Sequence, residues 1–300
     1  MNSYVVQVGT QILIQAIAAY GLNVIVGYAG QISLGHAAFL GIGAYASAML
    51  TTAAGLSFWT ALPIVLLIVG TVGFLSGLPS LRVKDDFLAI TTIGINFIVV
   101  AIFQYTPALG GALGIGGIPR VYLFGTPLKA QGFFYLCVFF LVLVMAISWF
   151  FTRTWAGLSC FAVRENERAA SSMGVSPVKA KLTAFVLGTL MAGLGGALYA
   201  HYMRFISAES FSFPVSVSML SVVIVGGIGT LFGPLLGAII LGVLPEIFRP
   251  LVDYRMLLYA AVLLAMIRFR PSGLLGGSSA WLRRNKPGKG VKTAPPKGGV

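Results

Sequence analysis

This 300-residue chain offers two histidines and seven acidic residues for acid–base chemistry. His36 and His201 have no acidic neighbour in sequence, so each reads as a hydrogen-bonded packing residue rather than a general base or a metal ligand. Two cysteines, Cys137 in an apolar stretch and Cys160 in a polar one, exclude a disulfide scaffold and the four-cysteine zinc patterns. No phosphate loop of the form Gly-x-x-x-x-Gly-Lys-Ser/Thr occurs. The glycines 110, 111, 114, 116 and 117 lack its lysine and precede no Ser/Thr-headed helix. No catalytic centre, metal or bound cofactor is expected of this chain. The remaining polar residues are neutral. Gln7, Gln11 and Gln15 recur every four residues, with Asn23 beyond them, and Thr92 and Asn96 form a similar pair. Each four-residue step drifts about 40° around a helix, so the glutamines cover about 80° of one face. Lipid penalises such a row, so it faces either a partner helix, by hydrogen bonding, or an aqueous path. The candidate path comprises Gln11, Gln15, Asn23, Gln31, Ser33, His36, Thr92 and Asn96.

The elements that carry these residues must sit in lipid. Hydrophobic residues make up 58% of the chain and charged residues 9%, against the roughly 25% charge of a soluble protein. Uncharged stretches near the 20 or so residues of a membrane span cover 4–26, 34–53, 57–78, 87–104, 131–151 and 182–203. The run 211–245 is too long for one helix and is broken by glycines 226, 227, 229 and 233 and by Pro234. It predicts two short spans or a re-entrant hairpin, and 256–267 is a shorter last segment. The expected fold is an all-α polytopic transmembrane bundle of about eight or nine hydrophobic segments. Residues 1–275 form the membrane domain and 276–300 a basic, disordered tail.

The net charge of +13 is unevenly placed. Residues 268–300 hold eight of the 20 Lys and Arg and no acid, which reads as a topology signal and a contact for anionic lipid. Nothing else in the chain supports nucleic-acid binding. With the tail cytoplasmic, Arg82, Lys84, Arg153, Arg164, Arg168, Lys179 and Lys181 also fall inside, and Arg120, Lys129, Arg204, Arg249 and Arg255 outside. The proposed spans contain no Asp, Glu, Lys or Arg. That argues against a proton-coupled carrier, leaves a sodium-coupled one open, and places any energy source in another chain.

Small residues at four-residue spacing let helices approach closely. Gly188, Ala192, Gly196 and Ala200 form one such row, and Gly229, Gly233 and Gly237 another, both expected to be helix-packing faces. Residues 152–181 make the one large charged loop before the tail, and Arg164–Gly174 suits a short helix ended by glycine. Such a helix lies on the membrane or docks into a partner's cleft.

The segment Gly27-Tyr28-Ala29-Gly30-Gln31-Ile32-Ser33-Leu34-Gly35-His36-Ala37-Ala38-Phe39 closely resembles the signature of the M-type permease subunit of branched-chain amino acid ABC importers. So do the Arg164–Gly174 loop, Glu209–Phe213, Gly226–Pro234 and the ending Phe269–Gly276, in order over about residues 10–276. The resemblance implies an inner-membrane, multi-pass subunit with a cytoplasmic C-terminus, paired with a second, non-identical permease. Two cytoplasmic ATPase subunits would supply ATP and Mg, and a periplasmic binding protein would deliver Leu, Ile or Val. The loop would then be the coupling helix in the ATPase cleft, through Arg164, Glu165, Glu167, Arg168, Ala169, Ala170 and Gly174. Of the general importer pattern Glu-Ala-Ala-x-x-x-Gly, the chain keeps Ala169, Ala170 and Gly174 but has Arg168 at the glutamate position. Close relatives of the family carry urea and short amides, and the uncharged spans suit either cargo. A passive small-solute channel, conducting without ATPases, is the rival from another class.

Overall fold

Glycine sets where the helices meet. The computed structural model describes residues 3–80, 85–123, 125–247, 264, 268 and 273–276. Helix α8 (Pro177–Met203) runs through the middle of the bundle with Gly188, Ala192, Gly193, Gly196 and Ala200 buried. It crosses α1 (Ser3–Leu22) at Gly21 and Gly188, where a methyl group added to either glycine would overlap the other's carbonyl. It crosses α2 (His36–Thr52) where Gly43 faces Gly193 and Gly196 faces the Leu40 carbonyl. These are backbone-to-backbone approaches that only the smallest residues permit.

Helices α3 (Phe58–Ser80), α4 (Asp85–Tyr105) and α5 (Ala130–Phe151) lie at the periphery. Only about a third or less of each apolar window is buried, against 72% for the first helix and 67% for α8. Leu67, Phe97, Phe139 and Phe150 stand exposed on them, as lipid-facing residues must. Among the described residues, six helices are long and apolar enough to cross a membrane.

Among the described residues, the chain departs from straight spans in three places. After Leu22, α1 continues as a π-helical segment, Asn23–Tyr28, and residues 29–35 form an irregular connection before α2 begins at His36. The expected span over 34–53 is therefore a 17-residue helix, α2, short for a crossing. The run 211–245 becomes a 3-10 turn (Ala208–Phe211), helix α9 (Phe213–Gly226), a connection, and helix α10 (Gly233–Ile247) packed against α9. At one end, residues 107–129 form tight turns and short strands. Strand β1 (Ile115–Gly116) pairs antiparallel with β4 (Phe205–Ile206), and β2 (Tyr122–Leu123) with β3 (Thr126–Pro127). The glycine-rich stretch 110–117 thus builds a lobe over that end. At the opposite end lie α6 (Trp155–Glu165) and α7 (Glu167–Ser172). The expected segment 256–267, Leu264 apart, and the basic tail beyond residue 276 lie outside the described residues, as do Arg82, Lys84, Arg249, Asp253 and Arg255.

Candidate functional site

The charged loop is an elbow of two helices, which corrects the single short helix expected over Arg164–Gly174. Thr154 caps α6, its hydroxyl accepting from Gly157 N–H. The chain then breaks at Asn166, whose extended backbone (φ −160°, ψ 104°) ends α6 while its side chain accepts from Ala169 N–H at 3.1 Å and starts α7. The break follows from asparagine's preference for a cap over a helix interior. Gly174, at φ +83°, turns the chain away after α7. The elbow is fastened to α8 by buried Ala170 and by Cys160, whose thiol points at the Ala180 carbonyl 3.3 Å away. Burial pushes that thiol up to about 11. Glu167 pairs with Lys181 on α8 at 2.8 Å. Glu165, Arg168, Ala169 and Met173 remain exposed on the elbow's outer surface.

Arg164 is exposed too, but its guanidinium reaches back toward the bundle and donates to the Gly27 carbonyl in the π-helical segment. One turn back, Asn23 is fully buried and bridges to the α9–α10 connection. Its Nδ2 donates to Thr230 O at 3.1 Å and its Oδ1 accepts from Gly229 N–H at 2.8 Å. Gly229 therefore lies in that connection at φ +76°, not on a helix face as its spacing with Gly233 and Gly237 predicts. Gly233 and Gly237 do pack, against Gly227, Val222 and Gly226 where α9 and α10 cross. Leu274 and Leu275 cap the end of α9 by donating to Val225 O and Gly226 O at 3.0 and 3.2 Å. Four sequence signatures far apart along the chain thus converge on one knot at the elbow end.

The other candidate path residues are buried. Thr92 accepts from Leu34 N–H at 3.0 Å and Asn96 donates to Phe211 O at 3.1 Å, so this pair on α4 holds the irregular 29–35 connection and the 3-10 turn. His36 reaches Ala18 O at 3.2 Å, and His201 bridges Ser47 and Pro119 O at 3.0 and 2.8 Å. Gln31 and Ser33 are buried with no side-chain partner among the described residues.

Gln11 and Gln15 differ from these. They line a cavity of about 310 Å³ between α1 and α9. Its apolar wall is Ile14, Leu40, Val215 and Met219, and its polar groups are Gln11, Gln15, Tyr199, Ser210 and Ser218, with no charged residue. Gln15 donates to Ser218 Oγ at 3.2 Å. Gln7 lies outside this cavity, and Tyr202 donates to its backbone carbonyl at 2.9 Å. Sequence reading missed Ser210 and Ser218, and also Ser216, which accepts from Ala37 N–H at 3.0 Å. For Ser216 and Ser218 the signal was the scatter of hydroxyls inside the run 211–245, read only for its apolar length, and Ser210 stands just before it. No group of three or more His, Cys, Asp or Glu suited to a metal occurs among the described residues.

Residues 4–267 match the family described as branched-chain amino acid transport system / permease component. The chain is 39% identical to the high-affinity branched-chain amino acid transport system permease protein LivM of Escherichia coli K12, covering 90% of this chain and 69% of that protein. Its identity to the Salmonella typhimurium LivM is 37% over the same shares. The permease protein LivH of Salmonella typhimurium is 26% identical over 44% of each chain. No solved structure matches. With a helical membrane bundle, a charged elbow and a family match over most of its length, the chain belongs to the permease family of branched-chain amino acid transport systems.

Proposed function

We propose that this chain is one of two non-identical permeases of an ATP-driven importer for aliphatic amino acids in a bacterial inner membrane. The elbow and the C-terminus face the cytoplasm, as the Lys/Arg balance favours. Two ATPase subunits there hold ATP and Mg and meet the exposed face of α6 and α7. A periplasmic binding protein delivers the amino acid to the lobe built by residues 107–129.

The observation that carries this reading is the neutral cavity between α1 and α9. Its volume takes one leucine-sized molecule. Its aliphatic wall suits a branched side chain, while the Gln11 and Gln15 amides and the Ser210 and Ser218 hydroxyls hydrogen-bond both ends of a zwitterion without a fixed charge. A site of this kind holds cargo weakly enough to release it when access switches. Urea would leave the aliphatic wall unfilled.

The test is uptake by the complete importer in vesicles, with labelled leucine and labelled urea side by side. Leucine uptake that needs ATP, with urea neither carried nor competing, is expected. The paired change Gln15→Leu with Ser218→Ala should raise the half-saturating leucine concentration about tenfold, the cost of losing one or two hydrogen bonds to a charged ligand. Urea carriage at the same rate would overturn the cargo, and flux through this chain without ATPases would favour the channel.

A further inference from the structure

Arg164 is the one elbow cation whose bonding is directed into the bundle, and three glycines make room for it. A methyl group on Gly30 would lie 2.9 Å from Arg164 Cγ, and one on Gly229 would lie 2.8 Å from Arg164 Nη1. The third, Gly27, supplies the carbonyl that accepts the guanidinium. Both Gly30 (φ +70°) and Gly229 (φ +76°) hold backbone conformations that other residues resist, so the socket is built into the chain path. The electrostatics match. Tyr28 ends the first helix; Ala29 N–H and Gln31 N–H take the Val24 and Ile25 carbonyls, and the Gly27 carbonyl lies at the negative end of the helix dipole. A guanidinium set there satisfies an orphan carbonyl and meets that partial charge.

What the arginine touches is a poor place for a rigid helix. Segment Asn23–Tyr28 is π-helical, an arrangement rare in proteins and concentrated at functional sites. Through Asn23 the same segment grips Gly229 and Thr230 in the α9–α10 connection. Helices α1 and α9 are also the two walls of the cavity, with Gln15 two turns from Asn23. A displacement of α6 is therefore delivered to both cavity walls through two side chains.

Resting on the importer reading above, we infer that Arg164 and Asn23 form the link that transmits motion of the elbow to the cavity between α1 and α9. Arg164 acts as a positioning residue through its guanidinium, although the residue lies on the exposed face of α6. The link has two joints. Arg164 joins α6 to the π-helical segment that continues α1, and Asn23 joins that segment to the α9–α10 connection.

The test uses the whole importer, with both permeases and both ATPases, in vesicles. Leucine taken up per ATP hydrolysed is measured for the unaltered complex and for Arg164→Ala, Asn23→Ala, Arg164→Lys and Gly229→Ala. Arg164→Ala and Asn23→Ala should lower that ratio about tenfold while ATP hydrolysis stays within about twofold, the size of a typical coupling between sites. Gly229→Ala disturbs the socket with every cation in place and should uncouple as well, and Arg164→Lys should recover part of the loss. A thiol placed by Ser218→Cys reads the cavity directly. Its labelling rate should change on adding ATP and vanadate in the parent complex, and stop responding to nucleotide in Arg164→Ala. Unchanged uptake per ATP in Arg164→Ala and Gly229→Ala would overturn the link. So would loss of the ATPases from purified Arg164→Ala, which would make Arg164 a partner contact. Failure of the importer reading is separate, since the unaltered complex itself would then show no ATP-dependent uptake.

Discussion

The centre of the bundle and its elbow end are held together by packing and hydrogen bonding in different proportions. Around α8, backbones touch at Gly21, Gly43, Gly188, Gly193 and Gly196, and close packing does most of the holding, beside a Ser47–His201 bond between α2 and α8. At the elbow end, glycine packing between α9 and α10 is joined by individual hydrogen bonds to backbone atoms, from Asn23, Arg164, Leu274 and Leu275. Interdigitated packing has one arrangement and resists continuous deformation. A hydrogen bond from a side chain can be exchanged for another at modest net cost, because each contributes only about 1 kcal/mol. The difference assigns roles. The α8 contacts form the tighter frame, and the elbow end is where the link inferred above would let movement enter.

The largest effect should come from breaking the frame. Gly196→Leu drives a side chain into the Leu40 carbonyl and Ala44 N–H, neither of which can yield without moving α2. The expected cost is about 3 kcal/mol or more, read as loss of monodisperse protein after detergent extraction and a lowered unfolding midpoint. Gly94→Ala on α4 is the matched control. Nothing lies within 4 Å of a methyl group there, and replacing a mid-helix glycine gains up to about 1 kcal/mol. If both substitutions behave alike, close approach is not what holds α8.

The sequence carried the frame better than the elbow end, for a physical reason. Packing of α8 depends on residue size at a four-residue period, and both are visible in Gly188, Ala192 and Gly196. The same period misleads at Gly229, because spacing is silent about backbone angle and that residue sits in a left-handed turn. Asn23 was recognised as too polar for lipid, but its partner Thr230 is 207 residues away and no local pattern names it. Thr92 and Asn96 posed the same ambiguity between helix contact and pathway, and here they hold backbone segments. Gln11 and Gln15 could not be told from them by type or spacing. Only the apposition of α9 puts those two beside a cavity. The break at Asn166 was legible in principle, since Asn followed by Glu167 begins a helix as readily as it interrupts one.

A smaller effect tests whether the elbow is two helices or one. Asn166→Ala removes the side-chain acceptor for Ala169 N–H and should cost about 1 kcal/mol. Because α7 spans six residues, that cost should stay local. Hydrogen exchange should quicken at the amides of residues 168–173 and remain unchanged along α8. Equal acceleration in both would mean that the elbow and the frame unfold as one unit, against the division drawn above.

The smallest effect is expected where the charge pattern looks most like a fastening. Glu167 and Lys181 join α7 to α8 at 2.8 Å, with 46% and 14% of their side chains accessible. An ion pair this open is screened by salt and spends side-chain freedom to form, so it contributes under about 1 kcal/mol. Glu167→Gln keeps the side chain's shape and one hydrogen-bonding oxygen while removing the charge. The unfolding midpoint should barely move, and the small difference should vanish in about 1 M salt, where the Debye length falls to about 3 Å. Coupling of ATP hydrolysis to uptake should hold under the same change. Charge reversal by Glu167→Lys goes further, because it sets two cations together and alters the face that α7 presents outward, and there coupling should fall. If neutralisation alone cost as much as reversal, the Glu167–Lys181 pair would rank with Arg164 and Asn23 as a transmitting joint, and the elbow would be pinned to the frame at the point where it has to move.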